Sequence, residues 1–272
     1  MNREMLDAAC DGIEAAIRLS TVGIVVGSGD RKGQDIGTGT LICWRGRHLI
    51  LTAEHVIAGT PAKDIRIILP PDSPPVKVER DTLLNLPGML TKNIREPVEL
   101  KLGQLVADAK LDLAAMQVDS GIAEKYPLRF FNLAMGGRTP GEGRQTTIIG
   151  FPYDISLVTT NDRRVISTSV EWTRIAPNRE RHPGFDPDIH FLAVYTEAED
   201  YPDAKPLGMS GGAMWFLRDE MSQVDGTEGL WYPKIDIDGV GISWHQKTKL
   251  LMMVRREAVE EFLTAVEILI KA

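Results

Sequence analysis

Gly208-Met209-Ser210-Gly211-Gly212-Ala213-Met214 is the stretch on which the reading of this chain turns, because it sets one hydroxyl in a turn nearly bare of side chains. Glycines at 208, 211 and 212 admit φ values that other residues resist and let another backbone approach closely. The N–H groups of Gly208 and Ser210 can then converge on one point, where an oxyanion would sit during acyl transfer. Losing one such donor costs about 2.7–4 kcal/mol of transition-state stabilisation. The same seven residues also read as a glycine-rich hairpin carrying an incidental serine.

The rest of the composition permits such a site and excludes several alternatives. With 272 residues, 43% hydrophobic and 25% charged, the chain can bury a sizeable core without staples, as one large all-β unit or two small ones. Thirty-eight acidic residues against 31 Lys and Arg leave a net charge of −7. The cations are scattered rather than gathered in a stripe, so nucleic acid is not an expected ligand. Apolar runs such as Leu250–Val254 fall far short of the ~20 residues that cross a bilayer. Asp7, Asp11 and Glu14 interrupt what would have to be the apolar core of a signal peptide, and a cytoplasmic location follows as the expectation. Cys10 and Cys43 are the only cysteines, too few for a disulfide framework; both read as buried free thiols. No Cys or His pair has metal-ligand spacing, so neither a metal nor a cofactor is expected.

Along the chain, Met5, Leu6, Ala9, Ile13, Ala16 and Ile17 recur at helical spacing and predict an amphipathic first helix. Short apolar or alternating runs at Thr21–Val26, Gly39–Cys43 and His48–Leu51 predict strands, with Trp44-Arg45-Gly46-Arg47 as a hairpin turn. Further strands are expected at Ile65–Leu69, Val98–Val106, Leu111–Val118, Thr146–Phe151, Val165–Thr173, Ile189–Tyr195, Ala213–Leu217, Gly239–Trp244 and Leu250–Val254. The cluster Gly136, Gly137, Pro140, Gly141 and Gly143 reads as a connection between two halves. Val259, Phe262, Leu263, Val266, Leu269 and Ile270 predict a closing helix over Arg256–Ile270. About a dozen short strands bracketed by two helices argue for an antiparallel barrel or sandwich.

A serine hydroxyl is a weak nucleophile until a base takes its proton, and histidine is the usual base. Of five histidines, His48, His182, His190 and His245 read as structural or solvent-exposed. His55 differs. It stands at a strand end, where a rigid scaffold can hold a side chain that stays accessible. The imidazole needs a carboxylate to set its tautomer, and Asp112 borders the apolar run Leu113-Ala114-Ala115-Met116, where an unpaired carboxylate is costly to bury. A strand-end cap is the alternative role for Asp112.

In order and context, six segments resemble the trypsin-like (chymotrypsin-fold) serine proteases, closer to the bacterial high-temperature-requirement-type enzymes than to the secreted digestive ones. They are Gly37-Thr38-Gly39-Thr40 leading to Leu51-Thr52-Ala53-Glu54-His55-Val56, then Asp112-Leu113-Ala114, Ile149-Gly150-Phe151-Pro152, Gly208-Met209-Ser210-Gly211-Gly212 and Gly241-Ile242-Ser243-Trp244. The resemblance implies an all-β fold of two antiparallel six-stranded barrels, with an N-terminal helix over 1–20 and a C-terminal helix over 255–272 as additions. The first barrel (21–135) would carry His55 and Asp112, and the second (136–254) Ser210. It implies His55 as general base, Asp112 as its orienting acid, Ser210 as nucleophile, and the N–H groups of Gly208 and Ser210 as the oxyanion hole. Ser243, Trp244 and His245 would line a groove in which a protein or peptide substrate lies as an added strand.

Four residues depart from the family pattern. Met209 replaces an acid or asparagine, His245 a glycine, Val56 a half-cystine, and Glu54 a small or amide-bearing residue. The family's pocket base falls on or near Ala204, inside the acidic loop Glu197–Lys205; that loop reads either as a pocket for basic side chains or as a solvated surface loop. Two functions from different classes follow: a serine endopeptidase working through an acyl-enzyme at Ser210, or a catalytically silent module that holds a peptide. The first helix either docks a regulatory protein partner or covers a barrel end.

Overall fold

A computed structural model describes residues 13, 16–26, 35–61, 64–68, 102–118, 129–133, 145–151, 158–160, 163–165, 169–176, 182–194, 206–221 and 231–271. Within the stretch expected as the first helix, residues 13 and 16–19 are helical; most of residues 1–15, the Gly/Pro connection and the acidic loop with Ala204 lie outside the described residues.

The first half supplies β1 (Thr21–Val26), β2 (Asp35–Trp44), β3 (Arg47–Ala53), the single helical turn α1 (Glu54–Ile57), β4 (Ile65–Ile68), β5 (Leu102–Asp108), β6 (Leu113–Val118) and β7 (Phe131–Asn132). Its sheet runs β4-β1-β2-β3-β6-β5, with β7 paired to β2. The second half supplies β8 (Gln145–Gly150), β9 (Val158–Thr160), β10 (Arg163–Val165), β11 (Ser169–Ile175), β12 (His190–Val194), β13 (Ala213–Met221), β14 (Trp231–His245), β15 (Leu250–Arg255) and the closing helix α2 (Arg256–Lys271). Here β11-β12-β15-β14-β13-β8 close into a barrel, and β9 and β10 form a separate hairpin. The molecule is therefore mostly β-sheet with few helices, but its halves are unequal. One is a closed six-stranded barrel; the other is a seven-stranded sheet that is open among the described residues.

The turn between β2 and β3 falls where the sequence predicts it, with positive φ at Arg45 (47°) and Gly46 (82°), as a two-residue turn matched to strand twist requires. Elsewhere the boundaries move. The single strand expected at Val165–Thr173 is two, β10 and β11. The strands expected at Ala213–Leu217 and Gly239–Trp244 run on as a ribbon to Met221 and from Trp231. Arg218, Asp219 and Glu220 show no apolar alternation; they are strand because they pair with Lys234, Pro233 and Tyr232 across the ribbon, a cross-strand effect that no single-segment pattern contains.

One apolar core joins the halves. Leu51, Ala53, Leu113 and Ala115 of the open sheet share a cluster with Ile149, Ala213, Trp215 and Val240 of the barrel. Val259, Phe262, Leu263 and Val266 of α2 close it, recurring at the spacing that gives a helix one buried face. The first residue of α2, Arg256, is wholly buried. Its Nε donates to Glu260 Oε1 at 2.7 Å and its Nη1 to Ile237 O at 2.7 Å and to Asp236 Oδ1 at 3.2 Å, which offsets the desolvation cost. Arg45 in the β2–β3 turn reaches Glu267 of α2 at 2.7 Å, so the helix is tied to both halves.

Candidate active site

β3 ends at Ala53 and the chain turns into α1, which presents His55 at the rim of the open sheet, its side chain 47% exposed. Asp112 sits in the turn just before β6, at φ 52°, a region that aspartate tolerates better than most residues. That backbone shape lets one residue make three contacts. Asp112 O accepts from Glu54 N at 3.1 Å, Oδ1 accepts from His55 N at 2.9 Å, and Oδ2 meets His55 Nδ1 at 2.7 Å. A carboxylate can only accept, so Nδ1 carries a proton and Nε2 is left as the basic nitrogen of the neutral ring. The hydrogen bond that Nδ1 donates to Asp112 raises the His55 pKa above 6.5; burial works the other way, and the charges of Asp112 and then Glu54 add to the rise. Glu54, which matches nothing in the family pattern, thus adds negative potential at the ring.

The Ser210 turn is built from paired peptides. Met209 N donates to Pro206 O at 3.1 Å and Gly212 N to Met209 O at 2.9 Å. Gly208 has φ 91°, the positive value that the third residue of a type II turn requires. Gly211, at φ 88°, donates its N–H to Gly241 O at 2.7 Å. It lies so close to the open sheet that a Cβ there would overlap Thr38 O and Thr52 Oγ1. Thr52 and Ala53 lead directly into His55, so this approach brings the serine turn beside the histidine. Among the described residues the N–H groups of Gly208 and Ser210 and the Ser210 hydroxyl have no hydrogen-bond partner. Met209 is 2% exposed and packs with Ile148, Phe191, Ala193, Met214, Leu251 and Met253.

Thr38 was not singled out by sequence reasoning, yet it touches this turn twice. Its hydroxyl donates to Gly208 O at 2.8 Å, and its N–H donates to Ser210 O at 2.9 Å. The available signal was the alternation Gly37-Thr38-Gly39-Thr40, which in a strand puts both threonines on one face.

Ser243, Trp244 and His245 form the end of β14, beyond a bulge between Gly241 and Ser243. They pair with Met252, Leu251 and Leu250 of β15, whereas β13 leaves β14 at Val240. This end of β14 begins beside Gly212 and Gly241, which are joined by a 2.9 Å bond. His182 lies over this strand. Its Nδ1 bonds Pro183 O at 2.8 Å, so Nδ1 is the donor and Nε2, 3.5 Å from Ser243 Oγ, the acceptor. His245 packs edge-on to His182 at 5.4 Å and shares a 2.8 Å hydrogen bond with Thr248 Oγ1. His190 is buried; burial lowers its pKa, and its Nδ1 accepts from Asp186 N at 3.1 Å. His48 stacks on Phe130 at 4.2 Å. Cys43 is a free thiol but half-buried, less enclosed than expected because it lies at the β2–β7 margin; Cys10 lies outside the described residues. Among the described residues no group of three or more His, Cys, Asp or Glu could hold a metal ion, and no helix is long and apolar enough to cross a membrane.

No protein-family model matches the chain, and no curated protein matches it. Its resemblances are to solved structures. The Rv3671c protease of M. tuberculosis in its active form is 15% identical, with a TM-score of 0.54 over 94% of this chain and 85% of that one. The serine endoprotease of Yersinia pestis is also 15% identical, with a TM-score of 0.53 over 93% of this chain and 64% of that longer one. An inactivated protease paralogue of the scabies mite, 13% identical, has a TM-score of 0.55 over 94% and 96% of the two chains. Identities this low carry the fold and nothing finer: the chain has the fold of the trypsin-like serine proteases.

Proposed function

We propose that this chain is a serine endopeptidase that cleaves a protein substrate through an acyl-enzyme at Ser210. The observation that carries the reading is the bidentate seat of His55 on Asp112, at 2.9 Å from the backbone N–H and 2.7 Å from the ring. It orients the ring, fixes the tautomer and favours the imidazolium that must form. Ser210 Oγ attacks the scissile carbonyl carbon while its proton passes to His55 Nε2. The carbonyl oxygen, now an anion, receives the N–H groups of Gly208 and Ser210. Collapse breaks the C–N bond as His55 returns the proton to the leaving amine, and water repeats the sequence in reverse to free the acid. The substrate adds as a strand along Ser243, Trp244 and His245, with Ala204 near the pocket base. We read the two halves as counterparts of the family's two barrels, divided near residue 136. The functional analogy we draw is to the bacterial high-temperature-requirement-type enzymes, and the setting we propose is the cytoplasm.

A specific observation favours a second reading, a protease-fold module that binds peptides without cutting them. The Ser210 hydroxyl makes no hydrogen bond to His55 in this conformation, although such bonds often tighten only with substrate bound. A fluorophosphonate probe separates the two, since it reacts only with an activated serine. Labelling of the native chain, absent in Ser210→Ala, is the expected result; no labelling even with peptide present leaves the binding module. Comparing new protein N-termini in cells carrying the native or the Ser210→Ala form then identifies the substrate.

A further inference from the structure

We propose that Thr38 is a positioning residue: a latch from the open sheet that holds the Ser210 turn with its Gly208 and Ser210 N–H groups presented. The proposal rests on the reading of Ser210 as nucleophile but follows from bonds of its own. Successive peptides of the turn alternate between ones held at both edges and ones whose N–H has no partner among the described residues, although the Met209–Ser210 peptide is held at its carbonyl by Gly212 N at 2.9 Å. The Gly208–Met209 peptide is held at both edges, its carbonyl by the Thr38 hydroxyl at 2.8 Å and its N–H by Pro206 O at 3.1 Å. The Ser210–Gly211 peptide is likewise held, its carbonyl by Thr38 N at 2.9 Å and its N–H by Gly241 O at 2.7 Å. Each pinned peptide follows one whose N–H is without a partner among the described residues. Thr38 therefore supplies one pin to each of the two peptides that set the direction of the free donors.

The latch is itself rigid. Thr38 is wholly buried, its carbonyl accepts from Thr52 Oγ1 at 2.7 Å, and its hydroxyl accepts from Phe151 N at 3.0 Å while donating to Gly208. With both roles of the hydroxyl used, its proton has one direction to go. The alternation of Gly37-Thr38-Gly39-Thr40 builds this from the sequence. The glycines lie against Val56 and against Ile50 and Ile24 of the open sheet, and the threonines face the barrel, where Thr40 Oγ1 accepts from Ala213 N at 3.0 Å. The buried Met209 fixes where the turn lies, but thioether packing has no direction. Hydrogen bonds have one, and they set the peptide planes.

The test compares the native chain with Thr38→Val, which keeps the shape and loses the hydroxyl, and Thr38→Ser, which keeps the hydroxyl; Thr38→Ala replaces the valine variant if that does not fold. The readouts are fluorophosphonate labelling, kcat and KM on a peptide substrate, and hydrogen exchange of the Met209 and Gly212 amides by NMR. Thr38→Val should label about 10²-fold more slowly, the cost of a small misplacement at a reacting centre. The loss should fall on kcat rather than KM, with faster exchange at both amides, and Thr38→Ser should restore all three. Native exchange rates at Met209 and Gly212 in Thr38→Val would overturn the latch. If the native chain itself never labels, the reading of Ser210 has failed, and the exchange rates still decide for or against the latch.

Discussion

His55 takes its orientation from two bonds to one carboxylate, and the negative charge that orients it also raises its affinity for a proton. The sign of the pH dependence follows. Below the raised pKa the ring is protonated and cannot accept from Ser210; above it the ring is the free base. The rate of labelling, or kcat/KM, should therefore climb with pH through a midpoint above 6.5, measured from about pH 5.5 to 9. A flat profile removes His55 as the base. The ion pair of protonated His55 with Asp112 stabilises the fold fully below the unfolded value and is lost as pH rises through the folded one, so activity appears as that contribution fades. Asp112→Asn should keep the fold and lower kcat by about 10⁴, the scale known for this change in a Ser-His-Asp site. Ser210→Ala and His55→Ala should each lose several orders of magnitude of turnover while the fold survives, as thermal melts would check, because such groups act as a unit. Near-normal turnover by either would sink the mechanism.

At the scale of elements, the seam between the serine turn and β3 admits no side chain at Gly211. A Cβ would overlap Thr38 O and Thr52 Oγ1 and come within 2.9 Å of Ala53 N, at φ 88°. Gly46 offers the contrast, with φ 82° and nothing within 4 Å. Urea denaturation should find Gly46→Ala costing about 1–2 kcal/mol, from the backbone alone, and Gly211→Ala about 2–5 kcal/mol, with overpacking added. Equal costs would mean that the seam yields and does not hold the turn to the strand that carries His55.

For the molecule as a whole, the burial of Met209 bears on how the turn would become ordered. In zymogen-type proteases of this fold, the acid before the serine pairs with an ammonium released by cleavage. A thioether cannot make that pair, and here it is buried in an apolar cluster while the chain continues upstream of β1 as a helical turn. The uncut chain should therefore label at Ser210. Intact protein and protein trimmed within residues 18–22 are compared by labelling rate, with substrate present. If only the trimmed form reacts, a cleavage switch exists and packing of Met209 does not order the turn.

Local chemistry made much of this legible in the sequence. The short apolar runs Thr21–Val26 and Leu250–Val254, the turn at Arg45-Gly46 and the spacing of Val259, Phe262, Leu263 and Val266 each draw on neighbours a few residues away, and the structure has β1, β15, the hairpin and α2 there. The glycines around Ser210 marked the exposed turn, and the apolar run after Asp112 marked the carboxylate that needed a partner. What the sequence could not contain was contact across distance. The ribbon of β13 and β14 extends through Arg218, Asp219 and Glu220 by pairing with Lys234, Pro233 and Tyr232, and Thr38 matters because 170 residues on the chain returns a carbonyl to its hydroxyl. Propensity and periodicity sum over short windows, whereas a seam between two sheets is set by which backbone groups close packing leaves facing one another. Only the tertiary structure decides that.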